Sequence, residues 1–105
     1  MIYHLALFQL KAQVDEEKIE WILRETRMHL LKIPEVRNLR CGKCVDDKAK
    51  WRIFLAVEIE SQEKLALYMN NPVHVKFVEE ILKPNITNRL ALDYEMEPGK
   101  DIKYS

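Results

Sequence analysis

The stretch Ile2-Tyr3-His4-Leu5-Ala6-Leu7-Phe8-Gln9-Leu10 decides the fold of this chain. It is a mostly apolar run of β-compatible residues, too short for a stable helix, and it ends where the chain turns polar at Lys11. Successive side chains of a strand point to opposite faces, and here both faces are mostly apolar: His4, Ala6 and Phe8 on one, Tyr3, Leu5 and Leu7 on the other. The stretch therefore predicts a strand that is covered by protein on both faces.

Helical and strand patterns alternate after this first strand. Asp15 is expected to cap a first helix, which ends by about Lys32 because Pro34 disfavours helical geometry in the residue before it. The apolar stripe of this helix consists of Ile19, Ile22, Leu23, Thr26 and Leu30. A second strand is predicted over Val36–Val45 and a third over Trp51–Glu60, where apolar residues alternate with others.

The second half of the chain repeats this arrangement. Ser61 is expected to cap a second helix, which the sequence Asn70-Asn71-Pro72 breaks. Pro72 suits the first turn of a further helical segment, and the buried face of that segment is predicted to carry His74, Phe77, Val78 and Ile81. A last strand is predicted over Ile86–Met96.

The predicted element order is βαββαβ, which indicates an α+β, ferredoxin-like domain with a four-stranded antiparallel sheet. Helices in such a domain cover only one face of the sheet, so the second apolar face of the first strand needs another layer. A second copy of the same sheet supplies that layer, and the sequence predicts a homodimer that forms a dimeric α/β barrel. The alternative is a monomer with an apolar open face.

Composition excludes several classes of function. Seventeen Lys and Arg residues balance seventeen Asp and Glu residues, so nucleic acid is not an expected partner. No basic leader and no apolar run of about 18 residues is present, which predicts a cytoplasmic protein without a membrane partner. One domain is expected over residues 1–97, followed by a C-terminal tail, residues 98–105, whose breakers Pro98 and Gly99 mark the end of the folded part.

One segment carries a resemblance to a known family. The stretch Tyr68-Met69-Asn70-Asn71-Pro72-Val73-His74-Val75-Lys76-Phe77-Val78 resembles the Y-x-x-x-P-x-H-x-x-F/Y signature of the stress-responsive A/B barrel (Dabb) family. The likeness covers about residues 2–96 and keeps the order of every element. Other matching parts are His4-Leu5, Ile33-Pro34-Glu35-Val36, Gly42, Ser61-Gln62-Glu63 and Asp93-Tyr94.

The resemblance implies a homodimeric barrel and a pocket between the sheet and the helices. The family is similar to polyketide cyclases of the olivetolic acid cyclase type, in which a tyrosine and a histidine at the positions of Tyr68 and His74 flank that pocket. The chain departs from the cyclase pattern at three positions. Asn71 stands where a histidine is common, Val78 where the cyclase has a glycine, and Thr26 where a tyrosine lines the cyclase cavity. A different or smaller substrate is therefore implied.

His74 and Tyr68 are the candidate catalytic residues. Burial on an apolar helix face favours neutral His74, which leaves one ring nitrogen free to act as a general base, and Tyr68 can polarise a carbonyl beside it. The alternative is that His74 is a hydrogen-bonded residue of the core. The candidate ligand-binding residues are His4, Phe8, Leu55 and Phe77, although Leu55 and Phe77 also suit the core.

No cofactor and no metal ion are expected. Cys41-Gly42-Lys43-Cys44 is a C-x-x-C pair, but it lies in a predicted strand and no second pair completes a zinc site, so both cysteines are expected to be ordinary thiols. Three functions stay open. They are a homodimer that binds a small apolar or aromatic molecule, a cofactor-free cyclase or isomerase that uses His74 and Tyr68, and a cofactor-independent monooxygenase of similar architecture.

Overall fold

Within residues 1–97, which are those that the computed structural model describes, four antiparallel strands form one sheet and the helices pack on one of its faces. The predicted tail, residues 98–105, lies outside the described residues. The elements are β1 (Ile2–Leu10), α1 (Glu16–Leu30), β2 (Arg37–Lys43), β3 (Ile53–Ile59), α2 (Gln62–Asn70), α3 (Pro72–Phe77), a π-helical turn (Val78–Leu82) and β4 (Ile86–Glu95). The strand order is β2-β3-β1-β4, which confirms the ferredoxin-like arrangement. None of the helices in this part of the chain is long and apolar enough to cross a membrane.

The ends of several elements differ from the predicted ones. Helix α1 ends at Leu30, two residues before the predicted end, and β2 is shorter than predicted at both ends. Trp51 and Arg52 precede β3 because the β2–β3 connection continues through them. The Arg52 guanidinium donates hydrogen bonds to the carbonyls of Cys44 and Asp46 and pairs with Glu16 at 2.9 Å, so these residues form a loop rather than strand.

The two faces of the sheet have different surroundings. The inner face packs against the helices and is buried: Ile2, His4, Ala6 and Phe8 from β1, and Ile53, Leu55, Val57 and Ile59 from β3. The outer face carries apolar side chains that the rest of residues 1–97 leaves partly or largely exposed: Tyr3, Leu5 and Leu7 from β1, Phe54 from β3, and Leu90, Leu92 and Tyr94 from β4. Leu92 and Tyr94 keep 41% and 52% of their surface exposed. Both faces of β1 are therefore largely apolar, whereas the inner face of β4 carries the charged residues Arg89, Asp93 and Glu95.

The junction between α2 and α3 is built by Asn71. Its backbone is extended (φ −62°, ψ 131°), its N–H donates to the Tyr68 carbonyl at 3.2 Å, and its side-chain oxygen accepts from the Val73 N–H at 2.8 Å. Pro72 occupies the first turn of α3, where the missing N–H costs nothing. The chain therefore turns between Tyr68 and His74, and both side chains are buried.

We expect the Asn71→Ala substitution to lower the free energy of unfolding by about 1 kcal/mol, because α3 loses its N-cap acceptor. Asn71→Asp keeps an acceptor at the same position and is the matched control, with a loss of less than about half that value. Urea denaturation at one fixed protein concentration measures both. Equal losses in the two variants would show that the cap contributes nothing.

Candidate functional site

Four polar side chains from four elements meet on the inner face of the sheet. They are His4 on β1, Tyr68 on α2, His74 on α3 and Asp93 on β4. The ring centroids of Tyr68 and His74 are 4.5 Å apart, and those of His4 and Tyr68 are 5.8 Å apart in an edge-on arrangement. His4, Tyr68 and His74 are 5%, 0% and 7% exposed. Their burial makes this group, called the polar cluster below, unusual in a core that is otherwise aliphatic and aromatic.

His4 is held by Asp93. The β1–β4 register places the two residues directly opposite each other, and His4 Nδ1 lies 2.5 Å from the Asp93 Oδ1 atom. The Asp93 carboxylate accepts the hydrogen bond and fixes the orientation of the ring, while 46% of its own side chain stays exposed. In the sequence, Asp93 is notable only as part of the family resemblance, and no role was predicted for it. The pairing of His4 with Asp93 follows from the β1–β4 register, which the sequence alone did not reveal.

One ring nitrogen of His74 is hydrogen-bonded to the backbone, and the other is left as an acceptor. Its Nδ1 atom lies 3.2 Å from the Met69 carbonyl oxygen, which can only accept, so Nδ1 carries the proton and Nε2 is left as the acceptor. Burial lowers the pKa of His74, and the charges of His4 and Arg89 lower it further, whereas the bond to Met69 raises it. The ring is therefore neutral at pH 7, as a general base has to be.

Within residues 1–97 the Tyr68 hydroxyl has no hydrogen-bond partner. It is the one fully buried side-chain oxygen or nitrogen atom in this part of the chain that lacks a partner. Burial raises the pKa of Tyr68, so the hydroxyl keeps its proton and can only act as a neutral donor or acceptor. A buried hydroxyl without a partner costs about 1–3 kcal/mol. An unsatisfied buried group in a native structure calls for an explanation, and a functional role is one such explanation.

An open cleft runs between β4 and the segment from α2 to the π-helical turn. Three cavities lined by described residues form it, and we call it the β4 cleft. The first, of 570 Å³, is bordered by Ile2, Gln62, Leu65, Ala66, Met69, Asp93 and Glu95. The second, of 190 Å³, is bordered by Met69, His74, Val75, Val78, Glu79 and Arg89. The third, of 360 Å³, is bordered by Val78, Leu82, Lys83, Ile86 and Arg89. Shared walls at Met69, Val78 and Arg89 make the three contiguous.

The predicted site residues fall into two groups. His74 borders the β4 cleft directly, and Tyr68 and His4 lie behind it in the polar cluster. Phe8, Leu55 and Phe77 are buried in the hydrophobic core and border none of the three cavities. Their ligand-binding role stays a prediction. Val78, the bulky residue at the glycine position of the cyclases, is a wall of two cavities.

Cys41 and Cys44 are free thiols on and just after the edge strand β2. Cys41 is half-buried, and burial raises the pKa of its thiol, which keeps it protonated and unreactive. No group of three or more His, Cys, Asp or Glu side chains within residues 1–97 is arranged to hold a metal ion.

Comparison with known families and structures gives a consistent result. The sequence model of the family described as Stress responsive A/B Barrel Domain (Dabb) matches residues 2–96. A Dabb family protein with a ferredoxin-like fold from Mesorhizobium loti is 23% identical, with 92% of this chain and 97% of that chain covered and a TM-score of 0.80. No protein with a curated functional description is detectably similar in sequence.

Two further solved structures share the fold. A dimeric ferredoxin-like protein of unknown function from Thermobifida fusca is 20% identical, with 90% of both chains covered and a TM-score of 0.81. Hydroxynitrile lyase from Passiflora edulis is 15% identical, with 94% of this chain and 95% of that chain covered and a TM-score of 0.79. At these identities the structural likeness establishes the fold alone.

We expect His74 to make the folded protein less stable below pH 6.5. The folded chain holds the pKa of His74 below its ordinary value of 6.5, so the unfolded chain takes up the proton first as the pH falls. The free energy of unfolding then falls from pH 6.5 down to the folded-state pKa, by at most about 1.4 kcal/mol per pH unit, and no contribution is lost above pH 6.5. In the His74→Gln variant this part of the slope should disappear. Urea denaturation across that range measures the slope, and identical slopes in the two proteins would contradict the expected burial effect.

Proposed function

The chain belongs to the stress-responsive A/B barrel (Dabb) domain family, and on that premise we propose that it is a homodimer that binds a small, mainly apolar or aromatic molecule in the β4 cleft. The observation that carries this proposal is the contact between an open cleft and a buried polar cluster. Ligand sites are typically concave, mostly apolar and supplied with a few convergent polar groups. The β4 cleft combines aliphatic and thioether side chains with polar and charged ones, among them His74, Arg89 and Asp93.

The outer face of the sheet supports the homodimer. The register pairs Tyr3 with Tyr94, Leu5 with Leu92 and Leu7 with Leu90, so their apolar side chains form a continuous surface. Monomeric proteins rarely expose a patch of this kind, and a second identical sheet covers it by two-fold symmetry. Three of the structures with the same fold are described as dimeric.

We expect analytical ultracentrifugation to find a dimer, and Leu92→Asp to raise its dissociation constant roughly a hundredfold or more, because a carboxylate without a partner is buried at the interface. Met28→Asp is the matched control, since Met28 is 58% exposed on α1, on the opposite side of the molecule from the outer sheet face. It should leave the dimer intact. A monomer in the unaltered chain, or equal weakening by both substitutions, would contradict the proposed interface.

A cofactor-free enzyme is the second candidate, and the polar cluster favours it. His74 lines the cleft and its Nε2 atom is left as an acceptor, and Tyr68, which lies behind His74, has a hydroxyl with no other partner among the described residues. Such a pair suits the removal of a proton from a carbon next to a carbonyl. The C–H proton moves to Nε2 of His74, the electron pair of that bond moves toward the carbonyl oxygen, and the Tyr68 hydroxyl stabilises the developing negative charge. Return of the proton to a different carbon completes an isomerisation. Attack of the enolate carbon on a second carbonyl of the same molecule, with the proton passing to that carbonyl oxygen, completes a cyclisation.

Phenylacetone tests the binding proposal and the enzyme proposal separately. Its binding is followed by shifts of the His74 and Val78 resonances in nuclear magnetic resonance spectra. Its chemistry is followed by uptake of solvent deuterium at the benzylic carbon. Shifts without faster uptake support a binding protein, shifts with faster uptake support an enzyme, and no shift at either residue contradicts the β4 cleft as a ligand site.

If deuterium uptake is catalysed, we expect His74→Gln to slow it by about a hundredfold or more, because the general base is lost. Tyr68→Phe should slow it by roughly tenfold or more through the loss of a donor, without lowering the free energy of unfolding, because the hydroxyl has no partner to lose. His29→Gln is the matched control, because His29 pairs with Glu25 on α1 and borders none of the three cavities. An unchanged rate in His74→Gln would remove His74 from the mechanism.

A further inference from the structure

We infer that the β4 cleft selects ligands that carry a carboxylate, and that Arg89 binds this group. The inference rests on the ligand-binding cleft proposed above and adds the chemical class of its ligand. It assigns to one residue of β4 a role in specificity that is separate from the polar cluster.

Arg89 occupies the middle of the β4 cleft. The β1–β4 register places it opposite Phe8, a buried residue of the inner face, so its side chain emerges on the side of the helices. It borders both the 190 Å³ cavity that His74 lines and the 360 Å³ cavity that continues past Val78. A group bound to the guanidinium is therefore adjacent to the cavity that holds the candidate base.

Within residues 1–97, no carboxylate lies within 4.0 Å of the Arg89 guanidinium. The nearby acid of the cleft, Glu79, is occupied by Lys83 at 2.6 Å. Of these two cations of the cleft, Lys83 is paired with Glu79, whereas Arg89 has no carboxylate partner among residues 1–97. Arg89 is exposed, and a guanidinium beside apolar side chains such as Val78 and Ile86 can bind a carboxylate through two parallel hydrogen bonds.

The charged residues along β4 predict which end of the cleft the anionic group of the ligand occupies. Asp93 and Glu95 border the 570 Å³ cavity at the other end of the cleft. Asp93 lies four residues from Arg89 on the same face, a distance of about 13 Å along the strand. The acids repel a carboxylate and the guanidinium attracts it, so the anionic end lies at Arg89. The apolar body of the ligand then lies against Met69, whose side chain borders both cavities.

Phenylacetate and phenylacetamide test the inference, because they share their shape and differ in charge. Dissociation constants come from the shifts of the Val78 and His74 resonances. We expect the unaltered chain to bind phenylacetate about threefold to tenfold more tightly than phenylacetamide, since the anion pairs with a partly exposed guanidinium. Arg89→Gln should abolish this preference, Arg89→Lys should keep part of it, and the amide should bind all three proteins equally.

Lys76→Gln is the matched control, because it removes the same charge from an exposed site on α3 that borders none of the three cavities. It should keep the preference for the acid. An acid preference that survives Arg89→Gln, or that Lys76→Gln removes as well, would overturn the inference while leaving the ligand-binding cleft in place. Equal affinity of the unaltered chain for the amide and the acid would also overturn the inference and leave the ligand-binding cleft in place. If no probe, phenylacetone included, shifts the cleft resonances, the inference and the proposed function fail together.

A second readout follows from the position of the guanidinium. The charge of Arg89 contributes to the lowered pKa of His74, so a carboxylate that neutralises it should raise that pKa, and the amide should not. Proton titration of the His74 ring in the presence of each compound measures this difference. The difference should vanish in Arg89→Gln, and its persistence there would place the bound carboxylate away from Arg89.

Discussion

The structure depends on the requirement that β1 be covered on both of its faces. β1 lies between β3 and β4, so it has a strand on each side and a layer of side chains above and below. On the inner face, the side chains of Ile2, Ala6 and Phe8 are buried against the helices. On the same face, His4 introduces a polar ring into the core, and that ring is tolerated because the opposite residue of β4 is Asp93. The polar cluster therefore depends on how the buried side of the central strand β1 accommodates the His4 ring.

The second constraint is the turn between α2 and α3. A continuous helix through residues 62–77 would place residues 68 and 74 about 240° apart around its axis, on different faces. Asn71 and Pro72 interrupt the helix, and the Tyr68 and His74 rings come within 4.5 Å of each other. Asn71 contributes to this turn through its side chain, which accepts a hydrogen bond from the Val73 N–H and caps α3.

Local patterns predicted most of the fold, and long-range geometry explains what they missed. Caps at Asp15 and Ser61 and the period of the apolar residues predicted the helices, because these signals lie within one turn of each helix. The pairing of His4 with Asp93 depends on the register of strands that are far apart in the sequence, and no local pattern reports it. The cleft is a space left between elements, so its borders follow from packing. The helical spacing alone did not show that Phe77 is buried in the core and away from the cleft. Arg89 became a candidate ligand-binding residue only when the strand register placed it on the inner face.

The two sides of the sheet are linked through alternation along β1 and β4. Leu5 and Leu92 lie on the outer face, while the neighbouring His4 and Asp93 lie on the inner face. β4 is an edge strand that contacts the rest of the described chain mainly through β1, and the side chains of its inner face border an open cleft rather than a packed layer. Cover on its outer face would therefore stabilise the strand that carries Arg89 and Asp93. In the proposed dimer, the partner supplies that cover without entering the cleft, so association and the geometry of the site depend on the same strand pairing.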